Sequence, residues 1–211
     1  MYKFALKEMC NEIQKLFPLS PKVAHAICVV DREKFIPAGF ARHLAYNINP
    51  LPLCESQYIS SPLTVAQMTE YLSPNGGDSV LEIGCGSGYQ AMVLSHLFRR
   101  VFSIERIDKL LSQARERFKL LGAHNIFIKL DDGQKGWQEY APFDAILFSA
   151  CIGAIPQPII NQLQEGGVIV APILEGGRQV IKRFRKHNGI LGGGEFLGEC
   201  LFVDVKDGVV R

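Results

Sequence analysis

The chain lacks long apolar runs. None of its stretches approaches the roughly 20 apolar residues of a membrane-crossing helix. The first residues, Met1 to Glu8, alternate charged and apolar side chains where a secretory leader would carry a continuous apolar segment. A CxxC pair is also missing. The six cysteines, Cys10, Cys28, Cys54, Cys85, Cys151 and Cys200, are scattered, and the five histidines do not cluster with them at metal-ligand spacing. That pattern argues against a structural metal and for unpaired thiols in a reducing compartment, so the cytoplasm is the expected location. Neither sign of charge dominates, and a net charge of +2 gives no electrostatic case for nucleic acid as the partner. There is no internal repeat and no low-complexity tail. A hydrophobic share of 47% and a charged share of 21% suit a water-soluble globular protein. At 211 residues the chain can build one good core but not two full-sized domains, so a single domain over 1–211 is expected, with a monomer as the default.

What is present centres on Val80-Leu81-Glu82-Ile83-Gly84-Cys85-Gly86-Ser87-Gly88-Tyr89-Gln90, an apolar strand that delivers three glycines to the start of a helix. Glycine takes positive φ and lets backbone press against a ligand. Gly84, Gly86 and Gly88 follow G-x-G-x-G, whereas a dinucleotide site reads G-x-G-x-x-G or A and sets a pyrophosphate on the helix N-terminus. The frame starting at Gly86 also fits G-x-G-x-x-A, so glycine spacing leaves both readings open. The acid Glu82 before the loop favours a cofactor carrying positive charge, such as S-adenosylmethionine with its sulfonium and ammonium groups. The next strand ends at Glu105, where an acid can accept the ribose hydroxyls of an adenosine, and the third runs into Asp132, placed for an adenine amino group. The plainer readings are a solvated acid at a strand end for Glu105 and a helix cap for Asp132.

Residues 1–77 are expected to form a helical, substrate-side segment, and residues 78–211 a cofactor-binding sheet. Two short amphipathic helices over residues 4–35 break at Phe17-Pro18-Leu19-Ser20-Pro21, where Ser20 can cap and Pro21 can open the second. Pro37, Pro50 and Pro52 keep residues 36–60 irregular, and Ser61-Pro62 starts a helix reaching about Leu72. From Ser79 strands alternate with helices: strands near 100–105, 125–130, 143–149 and 168–172, helices near 108–121 and 157–163. Two last strands, near 178–185 and 200–205, flank the Gly192-Gly193-Gly194 region and close the sheet antiparallel. The fold class expected is α/β: a Rossmann-like, doubly wound, mostly parallel seven-stranded sheet with helices on both faces and an N-terminal helical extension. The ligand belongs at the carboxyl ends of the strands, at the switch point.

The fourth strand ends Ser149-Ala150-Cys151-Ile152-Gly153, without the N/D-P-P-Y/F box of amino-methylating enzymes of nucleic acids. Cys151 could be read as the nucleophile of a cytosine C5-methylating enzyme, but no proline precedes it and no basic base-gripping domain follows, which favours a buried cysteine acting as a small hydrophobe. The basic run Arg178, Lys182, Arg183, Arg185 and Lys186 alternates with apolar residues as a charged edge strand does. His43, near Tyr46, is a candidate for the substrate mouth.

Asp31-Arg32-Glu33-Lys34-Phe35-Ile36-Pro37, Ala45-Tyr46, Leu51-Pro52-Leu53 and Tyr58-Ile59-Ser60-Ser61-Pro62 resemble the N-terminal half of the protein-L-isoaspartate O-methyltransferase family. The glycine loop through Ala91, Ser103-Ile104-Glu105-Arg106, Asp132-Gly133 and Ile155-Pro156-Gln157-Pro158 continue the resemblance in order. It covers residues 31–172, and the final strands more loosely. It implies transfer of a methyl group from S-adenosylmethionine to the carboxylate of L-isoaspartyl residues in damaged proteins or peptides, whose ester then collapses to a succinimide without the enzyme. It places the active-site serine at Ser60 and sets Tyr58, Ile59, Arg106 and Gly133 around the donor with Glu82, Gly84, Gly86, Gly88, Glu105 and Asp132. From the residues alone, Ser60 reads rather as part of the turn that opens the helix, and the resemblance reverses that reading. One departure is visible: Tyr58 stands where the family usually has threonine, and Cys54-Glu55-Ser56-Gln57 replaces the usual Gly-Gln lead-in. The rival readings are a methyltransferase of small molecules or RNA, and a non-catalytic module that keeps the cofactor cleft.

Overall fold

The computed structural model describes residues 2–37, 39–74 and 77–211. The chain opens with α1 (Tyr2–Leu16), which buries Leu6, Met9 and Ile13 along one stripe, and α2 (Pro21–Val29), which buries Val23, Ala26 and Ile27. Pro21 takes the first turn of α2 as expected, but Ser20 caps nothing. Its N–H and hydroxyl instead donate to Glu70 Oε2, both at 2.9 Å, tying α2 to the later helix α3. Cys10 on α1 and Cys28 on α2 are joined as a disulfide, which corrects the expectation that all six cysteines stand unpaired; sequence scatter says nothing about two helices packed face to face. Cys54, Cys85, Cys151 and Cys200 remain thiols.

Two 3-10 turns, Arg32–Phe35 and Arg42–Tyr46, lead to a hairpin of β1 (Leu51–Pro52) and β2 (Tyr58–Ile59), then α3 (Pro62–Tyr71). The main sheet comprises β3 (Ser79–Ile83), β4 (Arg100–Glu105), β5 (Ile126–Leu130), β6 (Phe143–Phe148), β7 (Leu163–Glu175) and β8 (Arg178–His187), with the short β9 (Ile190–Leu191) pairing only β8, and β10 (Glu195–Glu199). Helices α4 (Tyr89–Ser95), α5 (Asp108–Leu120) and α6 (Gln157–Gln162) connect the parallel strands.

The strand order is β10-β8-β7-β6-β3-β4-β5, parallel from β7 to β5 and antiparallel at β8 and β10. The chain winds outward from β3 through β4 to β5, then returns to β6 on the other side of β3. The switch point therefore lies between β3 and β6. Successive strand residues point to opposite faces, and both faces are covered, so the central strands are mostly apolar, with Glu82, Ser103 and Glu105 as buried polar exceptions. Val80, Val101, Ala145, Leu147 and Val170 share one core cluster with Leu6, Met9 and Ile13 of α1, while Leu81, Phe102, Ile146 and Ile169 form the core of the opposite face. One correction concerns the end of the chain: the last strand is Glu195–Glu199, not residues 200–205. Cys200 N–H still reaches Gln179 O of β8 at 3.0 Å, but the residues beyond pair elsewhere, Cys151 N–H to Val203 O at 2.8 Å and Val205 N–H to Cys151 O at 2.7 Å.

Candidate active site

β3 is buried over its whole length and releases the chain at Gly84, Gly86 and Gly88, whose φ values of 96°, 54° and 88° lie in the left-handed region open to glycine. At Gly88 a Cβ would also stand 2.6 Å from the Phe118 ring of α5, so only glycine lets α4 start there. Four of the loop's N–H donors are engaged within the protein. Gly84 and Cys85 N–H reach Ile104 O at 2.9 and 3.1 Å, Gly86 N–H reaches Glu105 Oε2 at 2.8 Å, and Gly88 N–H reaches Cys85 O at 2.9 Å. A diphosphate on a helix N-terminus needs such groups free.

Beside the loop, at the ends of β3, β4 and β6, lies a cavity of about 550 Å³. Its deepest polar groups are acids. Glu82 is wholly buried, and its carboxyl accepts hydrogen bonds from Ser103 Oγ at 2.5 Å and Ser149 Oγ at 3.0 Å. Burial, reinforced by the charge of Glu105, pushes the Glu82 carboxyl up to about 8, so it holds its proton at neutral pH; a cation brought beside it would favour the ionised form. Glu105 accepts N–H bonds from Gly86, Arg106 and Ile107 at 2.8 to 2.9 Å, and burial lifts its carboxyl above the ordinary range against their pull. A carboxylate has about four lone-pair directions, so three N–H groups leave roughly one for a ligand hydroxyl. Buried acids and engaged N–H groups fit a cationic adenosine cofactor and oppose a diphosphate.

The other wall comes from the β1/β2 hairpin and its exit, including Tyr58, Ile59 and Ser60. The cap of α3 falls to Ser61, whose Oγ accepts from Leu63 and Thr64 N–H and donates to Ile48 O. Ser60 therefore lines the cavity with its carbonyl bound to Arg32 and, among the described residues, no protein partner for its hydroxyl. Ile59 is buried, Tyr58 stands exposed at the rim, and Glu55 there is paired with Lys109 Nζ at 3.1 Å.

The structure brings Glu82, the three glycines, Glu105, Arg106 and Gly133 to the same cavity; a Cβ on Gly133 would collide with Ile83. The Asp132 carboxylate is turned to other work, accepting Gln134 N–H and Gly208 N–H, both at 3.0 Å. Arg106 likewise donates to the carbonyls of Asp207 and Gly208. Both residues pin the C-terminal segment, and through it Val203 to Lys206 and Val210 line the cavity. Sequence reasoning missed this wall, because no motif marks a terminal segment that returns across a sheet. His43 is exposed and takes no part in the cavity. Cys151 is buried away from it, its thiol pushed up by burial, which suits a packing role. Among the described residues no group of His, Cys, Asp and Glu could hold a metal ion.

A doubly wound sheet with buried acids around a glycine turn at its switch point defines a class I S-adenosylmethionine-dependent methyltransferase. The comparisons narrow this further. The chain belongs to the protein-L-isoaspartate(D-aspartate) O-methyltransferase family, whose model matches residues 5–210. A protein-L-isoaspartate O-methyltransferase of Helicobacter pylori (strain J99 / ATCC 700824) is 59% identical over 201 residues, 95% of this chain and 96% of its own. That of Dictyoglomus turgidum is 42% identical over 207 residues, 97% of this chain and 92% of its own. A solved protein-L-isoaspartate O-methyltransferase is 27% identical with a TM-score of 0.88, over 95% of this chain and 66% of its own. A Plasmodium falciparum structure assigned to the same family, in complex with S-adenosyl-L-homocysteine, shares the fold with a TM-score of 0.82 at 23% identity, over 97% of this chain and 98% of its own.

Proposed function

We propose that the protein methylates the free carboxylate of L-isoaspartyl residues in damaged proteins and peptides, with S-adenosylmethionine as donor. The observation that carries this reading is Ser60, its hydroxyl unengaged by protein, on the same cavity as the acid-rich glycine loop. S-adenosylmethionine supplies there a methyl carbon activated by its sulfonium, which leaves as the neutral thioether S-adenosylhomocysteine. Glu105 and the loop glycines orient the adenosine end, and Glu82 gains its charge as the cation enters. Gly133, Arg106 and Asp132 shape the rest of that end, and Tyr58 and Ile59 form the partition toward the acceptor.

Ser60 donates a hydrogen bond to one oxygen of the isoaspartyl carboxylate and holds it in line with the methyl carbon, a proximity task. Seating the carboxylate in the cavity strips water from the attacking oxygen. No general base is required, since a carboxyl with an ordinary pKa near 4 is already ionised. The ester then closes to a succinimide without the enzyme, and part of it reopens as aspartate.

The proposed working form is a monomer in the cytoplasm that acts on protein rather than nucleic acid. The small net charge supports a protein rather than a nucleic-acid acceptor. Among the described residues no helix is long and apolar enough to cross a membrane. The acceptor class is tested by labelling an isoaspartyl peptide with methyl-labelled donor and treating it with mild base. Release of the label as volatile methanol is expected, because carboxyl esters hydrolyse there. Label that survives base, or enters RNA instead, contradicts the reading.

A further inference from the structure

Arg32 is wholly buried, and among the described residues no carboxylate pairs with it. Its sequence neighbours are turned elsewhere: Asp31 and Glu33 accept from the Tyr46 hydroxyl, and Glu33 also pairs with Arg42. Its partners are four carbonyls. Nη1 donates to Ala45 O at 2.9 Å and Asn47 O at 3.3 Å; Nη2 donates to Asn49 O and Ser60 O, both at 3.0 Å. Nε has no partner, and Cζ lies 5.8 Å from the centroid of the Tyr89 ring, whose buried hydroxyl is also unpaired. Burial presses the guanidinium down to about 10, which leaves it a cation at neutral pH.

A protein that buries an arginine ordinarily pairs it with an acid, because an isolated charge out of water is costly. Carbonyl dipoles solvate this one without neutralising it. Ser60 and Tyr89, which Arg32 touches, both line the cavity. The cavity is thereby polarised: the buried acids Glu82 and Glu105 stand at the donor end, and a buried cation stands behind the serine end. The other cations nearby are differently placed. Lys206 is exposed and so screened by water, Arg106 is held by the C-terminal carbonyls, Lys109 is paired with Glu55, and the half-buried Arg117 donates to Ser87 O on the glycine loop, at the donor end.

We propose that Arg32 is the positioning residue for the acceptor carboxylate, fixing Ser60 through its carbonyl and supplying from behind the wall the unneutralised positive charge against which the anionic substrate seats. This rests on the isoaspartyl reading above. It assigns the preference for an anion to the protein interior rather than to a surface cation, so the preference should resist salt.

The test compares two peptides differing only at the acceptor: an isoaspartyl peptide, and its isoasparaginyl analogue with a neutral amide in place of the carboxylate. Their affinities are measured by calorimetry with S-adenosylhomocysteine saturating. The native enzyme should prefer the carboxylate by on the order of tenfold, little changed by salt. Arg32→Lys keeps the charge and should keep most of the preference while kcat falls, since an ammonium has three donors for four carbonyls. Arg32→Met should abolish the preference by weakening the carboxylate peptide alone. Equal weakening of both peptides in Arg32→Met would overturn the proposal, since a merely structural arginine acts so. Loss of preference in Arg32→Lys, or no preference in the native enzyme, would overturn it as well, and these arms decide if Arg32→Met does not fold. Failure of the native enzyme to bind either peptide would overturn the acceptor assignment itself, and this proposal with it.

Discussion

Two adjacent serines divide the work where the β1/β2 hairpin meets α3. Ser61 caps the helix with its side chain, while Ser60 is held by its backbone carbonyl and, among the described residues, has no protein partner for its hydroxyl on the cavity wall. Ser60→Ala should therefore leave the helix and the cofactor end intact. Its turnover of isoaspartyl peptide should fall on the order of 10- to 100-fold, the worth of one hydrogen bond to a charged group. S-adenosylhomocysteine affinity should stay within about twofold. Steady-state kinetics beside calorimetry separates these, and equal loss of both would make the residue structural. The placing of Glu82 and Glu105 beside the glycine loop was legible from local spacing, whereas Ser60 was named only through the resemblance, because a lone serine before a helix cap is no motif. Arg32 was quoted only as part of a resemblance, since four carbonyl partners spread over residues 45–60 leave no spacing to read. The proton on Glu82 was hidden for the same reason: its state depends on Ser103, Ser149 and Glu105, brought together only by the sheet.

At the scale of elements, the glycine loop rests on two different demands. Gly88 has both a left-handed φ and the Phe118 ring in the place of a Cβ; Gly86 has the left-handed φ but only Leu53 Cδ1, at 4.0 Å. Gly88→Ala should thus cost on the order of 2–4 kcal/mol from strain plus overpacking, and Gly86→Ala about 1 kcal/mol from strain alone. Urea unfolding of the two variants measures the difference, and equal costs would show that α5 yields to the extra carbon. Most elements were readable from period and punctuation: the largely apolar β3 and β6, the Ser61-Pro62 start of α3, Pro21 at the head of α2. The end of the chain was not. Residues 200–205 have the apolar, β-branched and aromatic run of a strand, yet β8 is already paired by β10, so the segment crosses to Cys151 and walls the cavity. Local pattern cannot tell which edge a late segment finds. Nor could spacing show that α1 and α2 bring Cys10 and Cys28 together.

At the scale of the molecule, acids at the switch point link binding to protons. The Glu82 carboxyl is raised in the folded chain from 4.5 to about 8. Between those values the unfolded chain has lost this proton while the folded chain keeps it, so the contribution of Glu82 to stability falls as pH rises through the window. The upward shift of Glu105 acts with the same sign. The unfolding midpoint should therefore drift down between about pH 5 and about pH 8, and Glu82→Gln should flatten the trend. The same logic requires binding of the sulfonium cofactor near pH 7 to release a proton, seen by calorimetry in buffers of contrasting ionisation enthalpy. No release, or release unchanged in Glu82→Gln, would mean that Glu82 does not meet the cation.

On the proposed function, one cavity brings an activated methyl carbon to an isoaspartyl carboxylate. The most direct measurement is incorporation of label from methyl-labelled S-adenosylmethionine into two peptides of one sequence, one linked through isoaspartate and one through aspartate. Labelling of the isoaspartyl peptide well above its aspartyl twin is the predicted result; equal labelling, or none of the isoaspartyl peptide, would contradict it.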